Sequence, residues 1–345
     1  MAAKLRTAAS AAVPTLEVVA QRAGVSRSTA SRVLTGATNV SPAAREAVLR
    51  ASAELGYLPN RAARSLVTRR TDSVAFVVSE PEDRFFSDPF FGSVLRGAHT
   101  EISRAGLQLI FVVTGDEVER KQFLNFASAG HVDGVVLISL HENDPMPHKL
   151  QQAGIPVVLV GRPLPDDGHT AYVDADNFGG GRLAAKHLIK RGCQRIVTIA
   201  GPDDMAASRD RLEGFDLELA AAGHKRPESY AVHGDFSAAG GAAAMRHLLD
   251  KVPDLDGVFA ANDLMAAAAT QVLQRAGRRV PEDVAVVGYD DVPVAAVSHP
   301  PLTTVAQPME AMGRTMARML LDKLEGRPIT RSIVLPTELV IRTSA

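Results

Sequence analysis

The 345-residue chain has no tryptophan and a single cysteine, Cys193. One thiol can form neither an intramolecular disulfide nor a thiolate metal cluster, so ordinary packing must hold the fold together. No apolar run reaches the roughly 20 residues that a membrane span needs. The N-terminal "MAAKLRTAASAAVPT" offers only alanines where a secretory signal carries its apolar core, and residues 1–13 read as a disordered leader. Enzyme signatures are missing as well. "GGGR" (179–182) lacks both the G-x-G-x-x-G spacing and the Walker Lys-Ser/Thr, and is better explained as small residues opening a helix. The ten histidines show no H-x-x-x-H or H-E-x-x-H pairing, and no serine sits in G-x-S-x-G. These absences predict a soluble cytoplasmic protein that is not an enzyme, with no cofactor, no metal site and no membrane partner.

What is present is unevenly distributed. The net charge of −1 hides 11 basic against 3 acidic residues in 1–71, a surplus of 8. The remaining 27 basic and 36 acidic residues leave 72–345 with a deficit of 9. A basic head on an acidic body implies that only the head meets a polyanion. At this length two or three domains are expected.

The head reads as short helices. Leu16, Val18, Val19, Ala20 and Ala23 give the first an apolar side, with Thr15 as its cap after Pro14. Gly24 permits a sharp turn because it adopts positive φ without steric cost. The stretch that follows, "SRSTASRVLTG" (26–36), is a poor core former. Ser26 caps it, and Ala30, Val33 and Leu34 fall at the spacing that faces inward. That turns Arg27, Ser28, Ser31 and Arg32 outward. Hydroxyls and forked guanidiniums hydrogen-bond phosphates and base edges, and arginine grips guanine through two acceptors. Helix, tight turn, polar second helix and basic surroundings make a helix-turn-helix whose second helix enters the major groove. A third helix starts at Ser41-Pro42 and ends near Leu55-Gly56. "YLPNRAARSLVTRRTD" (57–72) then reads as a boundary.

From Ser73 onward, β-branched runs alternate with amphipathic segments. The runs are 73–79, 107–113, 134–139, 156–161, 195–201, 257–263 and 284–290; the segments 91–105, 177–191, 206–222, 236–250 and 262–276 are long enough for crossover helices. Continuously apolar strands are buried on both faces, which means parallel sheets sandwiched by helices. There are too many for one small sheet, so two similar lobes are expected, with a ligand site at the strand exits in the cleft between them.

The stretch "TLEVVAQRAGVSRSTASRVLTGATNVSPAAREAVLRASAELGYLPNRAARSL" (15–66) resembles the N-terminal module of the LacI/GalR family of bacterial transcriptional regulators. The likeness continues in "DPFF" (88–91), "DGVVLIS" (133–139), "DN" (176–177), "RLEGF" (211–215), "GDFS" (234–237), "AANDLMA" (260–266), "VVGYDD" (286–291), "PPLTTVAQP" (300–308) and "LPTELVIR" (335–342). The resemblance implies a DNA-contacting set of Thr15, Ser26, Arg27, Ser28, Ser31, Arg32, Asn39, Asn60, Arg61, Ala63 and Leu66. Arg27, Ser28 and Arg32 would choose operator bases. Asn60 would cap a hinge helix in "PNRAARSL", from which Ala63 and Leu66 wedge into the minor groove, opening a base step. It also implies an α/β body of the periplasmic-binding-protein type. Phe90, Phe91, Arg211, Phe236, Asn262 and Asp290 would contact a small-molecule effector there, with Asp263 capping its helix and Asp290 open to a capping role. The segment "SEPEDRFFSDPFFG" (79–92) is longer and more acidic than the family's usual entry to this helix, and Phe85, Phe86 or Asp88 could shape the pocket. With no indole available, Phe and Tyr must supply any sugar platform.

The expected organisation is a leader (1–13), a helix-turn-helix domain (14–59), a hinge and linker (60–71) and an effector-binding and dimerisation body (72–345). The first lobe is placed at about 72–174 and 304–334, the second at about 175–303 and 335–345. The expected activity is that of a homodimeric repressor on a palindromic double-stranded DNA operator, nucleoid-associated when bound and released by a sugar inducer. No heptad pattern follows "LVIRTSA" to suggest a larger assembly. A purine-like corepressor in the same fold, or a sugar receptor without DNA binding, are the alternatives.

Overall fold

The computed structural model describes residues 14–35, 37, 39–57, 70–224 and 226–345. The expected leader therefore lies outside the described residues, as do Asn60, Arg61, Ala63 and Leu66 of the expected hinge. The chain divides after Thr71 into two compact units.

Among the described residues the first unit holds α1 (Leu16–Ala23), α2 (Arg27–Leu34) and α3 (Pro42–Leu55). Gly24 ends α1 at φ 66°, a left-handed conformation that no β-carbon opposes. Ser26 caps α2, its hydroxyl accepting from Thr29 N at 3.1 Å, and Ser41 caps α3 in the same way through Ala44 N. Thr15 occupies the cap position of α1 but makes no side-chain capping bond. The core is small, formed by Val19, Ala20, Ala30, Val33, Val48 and Ala51, with Leu16, Leu34, Leu55 and Tyr57 packed around it. Val18, assigned to the apolar side of α1, is 42% exposed instead.

In the second unit the chain runs through β1 (Ser73–Val78), α4 (Glu82–Ser87), α5 (Pro89–Arg104), β2 (Gln108–Val113), α6 (Glu117–Phe126), β3 (Gly134–Ile138), α7 (Met146–Gln152), β4 (Val157–Val160) and β5 (Ala171–Ala175). It crosses to a second lobe with α8 (Asn177–Lys190), β6 (Ile196–Ala200), α9 (Ala206–Ala221), β7 (Ala231–His233), α10 (Ala238–Lys251), β8 (Gly257–Ala260), α11 (Asp263–Arg275), β9 (Ala285–Asp290), α12 (Pro293–Val297) and β10 (Thr303–Ala306). Helix α13 (Met309–Leu324) and β11 (Ser332–Leu335) return to the first lobe, and β12 (Glu338–Val340) belongs to the second. The sheet orders are β11-β5-β4-β3-β1-β2 and β12-β10-β9-β8-β6-β7. Pairing is parallel throughout except between β10 and β12.

Both faces of each sheet are covered, as the apolar runs require. In β1, Val74, Phe76 and Val78 pack on one side with Val94 and Ile102 of α5 and Met316 and Leu320 of α13. Ala75 and Val77 point to the other side, against Phe123, Met146 and Leu150. Helices α5 and α13 touch backbone to backbone: a β-carbon on Gly97 would lie 2.1 Å from Glu310 O, and one on Gly313 2.0 Å from Val94 O. The second lobe repeats this contact between α8 and α9 through Gly181 and Gly214.

Three strands, β5, β10 and β11, carry the chain between the lobes. The expected lobe boundary at 303/304 cuts through β10, which pairs with β9 and belongs wholly to the second lobe. The expectation missed it because the threonine-rich "TTVA" is too short and polar to read as a buried strand, although Thr303 and Thr304 are fully buried. The interrupted "AYVDA" of β5 and the short edge strands β7, β11 and β12 escaped for similar reasons. No helix among the described residues is long and apolar enough to cross a membrane.

Candidate nucleic-acid face and ligand cleft

On α2, Ala30 and Val33 are buried, while Arg27, Ser28 and Arg32 are exposed and Ser31 is half-buried. Asn39 is exposed beyond the helix. The polar side chains are held locally. Ser26 Oγ lies 2.9 Å from Ser28 Oγ, and Arg32 Nε donates to Ser28 O at 3.3 Å. Arg27 pairs through Nε with Glu17 of α1 at 2.6 Å. Both arginines are thus held through Nε, Arg27 by an exposed carboxylate and Arg32 by a main-chain carbonyl.

The ligand cleft lies between the lobes of the second unit and encloses about 670 Å³, part of it open to solvent. Its wall is built at strand exits: Ser139 follows β3, Arg162 follows β4, Asn177 follows β5, Asn262 follows β8, Asp290 ends β9 and Gln307 follows β10. Parallel strands place their carboxyl ends on one edge, so residues far apart in sequence converge there.

Arg211 is the centre of the second-lobe wall. Nε donates to Asn177 Oδ1 at 2.9 Å and Nη1 to Ala261 O at 2.5 Å, with Asp290 Oδ1 3.5 Å away. Its guanidinium carbon lies 3.7 Å from the centroid of the Tyr289 ring. Asn177 passes the chain of bonds to Asp174 through Nδ2 at 2.9 Å. Gln307 donates to Asp290 at 2.6 Å. Burial drives the Asp290 carboxyl up to about 7 against the pull of Arg211, and burial likewise drives Asp174 up to about 6. Asp88, which caps α5 through Phe90 N, is also raised by burial.

From the first lobe, Arg84 on α4 reaches across to donate to Asp235 O at 2.9 Å, and its guanidinium carbon lies 4.9 Å from the Phe236 centroid. Three arginines (84, 162 and 211) thus face three aspartates (88, 174 and 290) on the cleft wall. Each arginine already has a protein acceptor: Asp235 O, Asp210 and the Asn177–Ala261 pair respectively. Such a lining presents matched donors and acceptors without surplus positive charge, which suits a neutral polyhydroxylated ligand better than a phosphate. Apolar wall comes from Phe90, Phe236, Met205, Met312, Ile138 and Val160. Helix α9 opens at Ala206 and Ala207 on this wall with no side-chain cap, leaving first-turn amides as further donors.

Of the expected effector contacts, Phe90, Arg211, Phe236, Asn262 and Asp290 lie on the cleft wall, and Phe91 does not. Phe91 is fully buried in the first-lobe core, one residue round α5 from Phe90 and facing the sheet. The roles expected of Asn262 and Asp263 are also rearranged. Asn262 itself caps α11 through Met265 N, and its amide donates to Phe236 O. Asp263 caps nothing; it accepts from Val292 N and the Thr304 hydroxyl beneath the wall. Asp290 is no cap either, and its neighbour Asp291 pairs with Arg342. In the 79–92 segment, Asp88 lines the cleft, Phe85 packs on the core and Phe86 is 76% exposed. Arg84, Arg162, Asp174, Asn177 and Gln307 were not anticipated. The signal available for Arg162, Asp174 and Gln307 was position immediately after or near the end of a strand; Asp174 and Gln307 stayed hidden because β5 and β10 had gone unrecognised, whereas Arg162 follows the recognised β4.

Comparison with known proteins agrees with this architecture. Residues 15–60 match the model for bacterial regulatory proteins of the lacI family, and residues 185–345 match a periplasmic binding protein-like domain. The HTH-type transcriptional regulator CelR of Thermobifida fusca is 52% identical over 336 residues, which is 96% of this chain and 98% of that protein. The chain belongs to the lacI family of bacterial regulatory proteins. Among solved structures, a transcriptional regulator CelR–cellobiose complex is 49% identical, with a TM-score of 0.78 over 96% of this chain and 100% of that one. The lac repressor dimer bound to operator and the anti-inducer ONPF is 27% identical, with a TM-score of 0.83 over 96% and 98%. This lacI-family chain is thus a DNA-binding transcriptional regulator with a small-molecule cleft, and its relatives are regulators too.

Proposed function

We propose that this regulator is a cytoplasmic repressor that binds a palindromic operator as a homodimer and is released by a β-linked glucose disaccharide, with cellobiose as the first candidate. The observation that carries the ligand reading is the charge-balanced cleft centred on Arg211, in a chain 49% identical to a regulator solved with cellobiose. Vicinal hydroxyls can donate to Asp88, Asp174 and Asp290 while accepting from the arginines, and the Phe90 and Phe236 rings can cover C–H faces. Arg32 and Ser28 would read base edges, with Arg27 joining them on release from Glu17 and Asn39 meeting the backbone. The roles of Asn60, Arg61, Ala63 and Leu66 as hinge and minor-groove contacts belong to the same proposal. A dimer is supported by edge strand β2, where exposed Phe111 adjoins Phe85 (4.6 Å between centroids) and Phe85 adjoins Phe86 (5.0 Å). An unpaired edge flanked by an aromatic strip is surface that a two-fold partner would cover.

Selection from random duplex DNA should enrich a two-fold symmetric sequence, bound by two chains. Adding cellobiose should weaken that binding, since operator and effector must alter one another's affinity reciprocally. Failure to enrich any sequence over random competitor would sink the DNA reading. Enrichment without any response to cellobiose would sink the ligand assignment alone.

A further inference from the structure

Beside the cleft, two loops from opposite lobes meet along a strip that does not line it. Residues 141 and 142 follow β3 in the first lobe; residues 203–205 lead into α9 in the second, and Arg209 lies in its first turn. Glu142 N donates to Asp204 O at 2.7 Å, His141 Nδ1 lies 2.7 Å from Asp204 Oδ2, and Arg209 Nη2 lies 2.7 Å from Glu142 Oε2. His141 also faces Glu80 Oε1 at 3.4 Å, and that buried carboxylate accepts the Ser139 hydroxyl. Held between two carboxylates, the imidazole is raised to about 9 and is a cation at neutral pH. None of His141, Glu142, Asp204 and Arg209 reaches the cavity, yet their neighbours Ser139, Leu140, Met205, Ala206 and Ala207 form its wall.

We propose that His141, Glu142, Asp204 and Arg209 are positioning residues that latch the lobes shut beside the cleft and set how long a ligand stays. The proposal rests on the cleft being the effector site. A single exposed ion pair contributes little. Here two ion pairs and a main-chain hydrogen bond all span the same gap, so separating the lobes must break them together. With a ligand inside the cleft, these contacts must break before it can leave, and their loss therefore speeds dissociation. Because the contacts are with protein and not with ligand, they favour closure over any ligand that fits.

The test uses the full chain and a charge swap. Arg209→Glu places two carboxylates against each other, and adding Glu142→Arg restores an opposite pair with reversed sense. Hydrogen exchange without sugar reads the latch directly, through the Glu142 amide that Asp204 O protects. Arg209→Glu should speed exchange in 139–145 about tenfold and leave the β1 and β6 cores unchanged, and the double variant should recover most of the protection. Unchanged exchange overturns the latch, whatever the ligand proves to be. Cellobiose binding to the same proteins supplies the second reading. Arg209→Glu should raise Kd about tenfold through faster release, with recovery to within about twofold in the double variant. If wild type binds cellobiose and the variant's release rate matches it, the residence-time claim is wrong. If exchange responds as expected but wild type takes up no cellobiose, the sugar assignment fails and the latch stands.

Discussion

The outer face of α2 and the wall of the cleft are both rich in arginine and in oxygen-bearing side chains, yet their physical settings are opposite. On α2 the polar groups stay in water and satisfy one another over short sequence distances: Ser26 with Thr29, Arg32 with Ser28. In the cleft they are buried and partnered over long ones, as with Arg211 to Asn177 and Ala261 or Gln307 to Asp290. Exposed groups can be exchanged at low cost for phosphates and base edges, and the attraction is set by charge and salt. Buried groups have already lost their water. They must be paired before the ligand arrives, and this fixes their directions and makes the site selective. One protein thus keeps an exposed, exchangeable polar face for a polyanion and a preorganised, internally paired cavity for a small molecule.

Truncation should expose this contrast most sharply at the buried end. Phe91→Ala should cost about 3–5 kcal/mol in chemical denaturation, because it empties a site that is fully buried in the first-lobe core. Ligand preference among sugars should be unchanged in whatever folded protein remains; altered preference would put Phe91 back in the site. Arg211→Ala comes next. Asn177, Ala261 O and Asp290 lose their shared donor, and calorimetry should show affinity for cellobiose falling about a hundredfold, or ~3 kcal/mol. Operator affinity without sugar should hold, and Arg211→Lys provides a charge-preserving check on folding. On the exposed side, Arg32→Ala should weaken operator binding about tenfold and leave sugar affinity untouched, since no buried partner is orphaned. The expected result in an anisotropy titration is a selective loss on the preferred sequence; an equal loss on all DNA would make Arg32 a phosphate contact.

The smallest effect concerns protons. Asp290 is raised to about 7 in the fold, so the native protein holds a proton that the unfolded chain has already released between about pH 4 and 7. Stability from this group is therefore present at the acid end of that window and declines as pH rises through it. Asp290→Asn removes the decline. Melting curves from pH 5 to 8 should show the variant gaining on wild type as pH increases, and a gap that does not change with pH would mean that Arg211 keeps Asp290 ionised throughout.

Elements with a local cause were legible in the sequence. The head could be read almost helix by helix because Gly24, Ser26 and Ser41-Pro42 act within one turn of themselves. The long apolar strands could be read because burial on both faces leaves no polar positions. Strand β10 was missed because its threonines find hydroxyl partners only in the distant residues Asp263, Arg342 and Ala345. The same limit explains Phe90 and Phe91. Adjacent aromatic residues look equivalent in sequence, and only the rotation of α5 against its sheet sends one to the cleft and the other to the core.

Composition and local pattern alone determined that a basic helical head precedes an acidic body of two doubly covered, mainly parallel sheets, since capping, turn formation and strand burial depend on near neighbours. Which side chains meet was decided only by the tertiary fold. The arginine–aspartate balance of the cleft and the strip of ion pairs beside it arise where strand ends of two lobes converge, and an electrostatic contact depends on distance in space, to which separation along the chain is no guide.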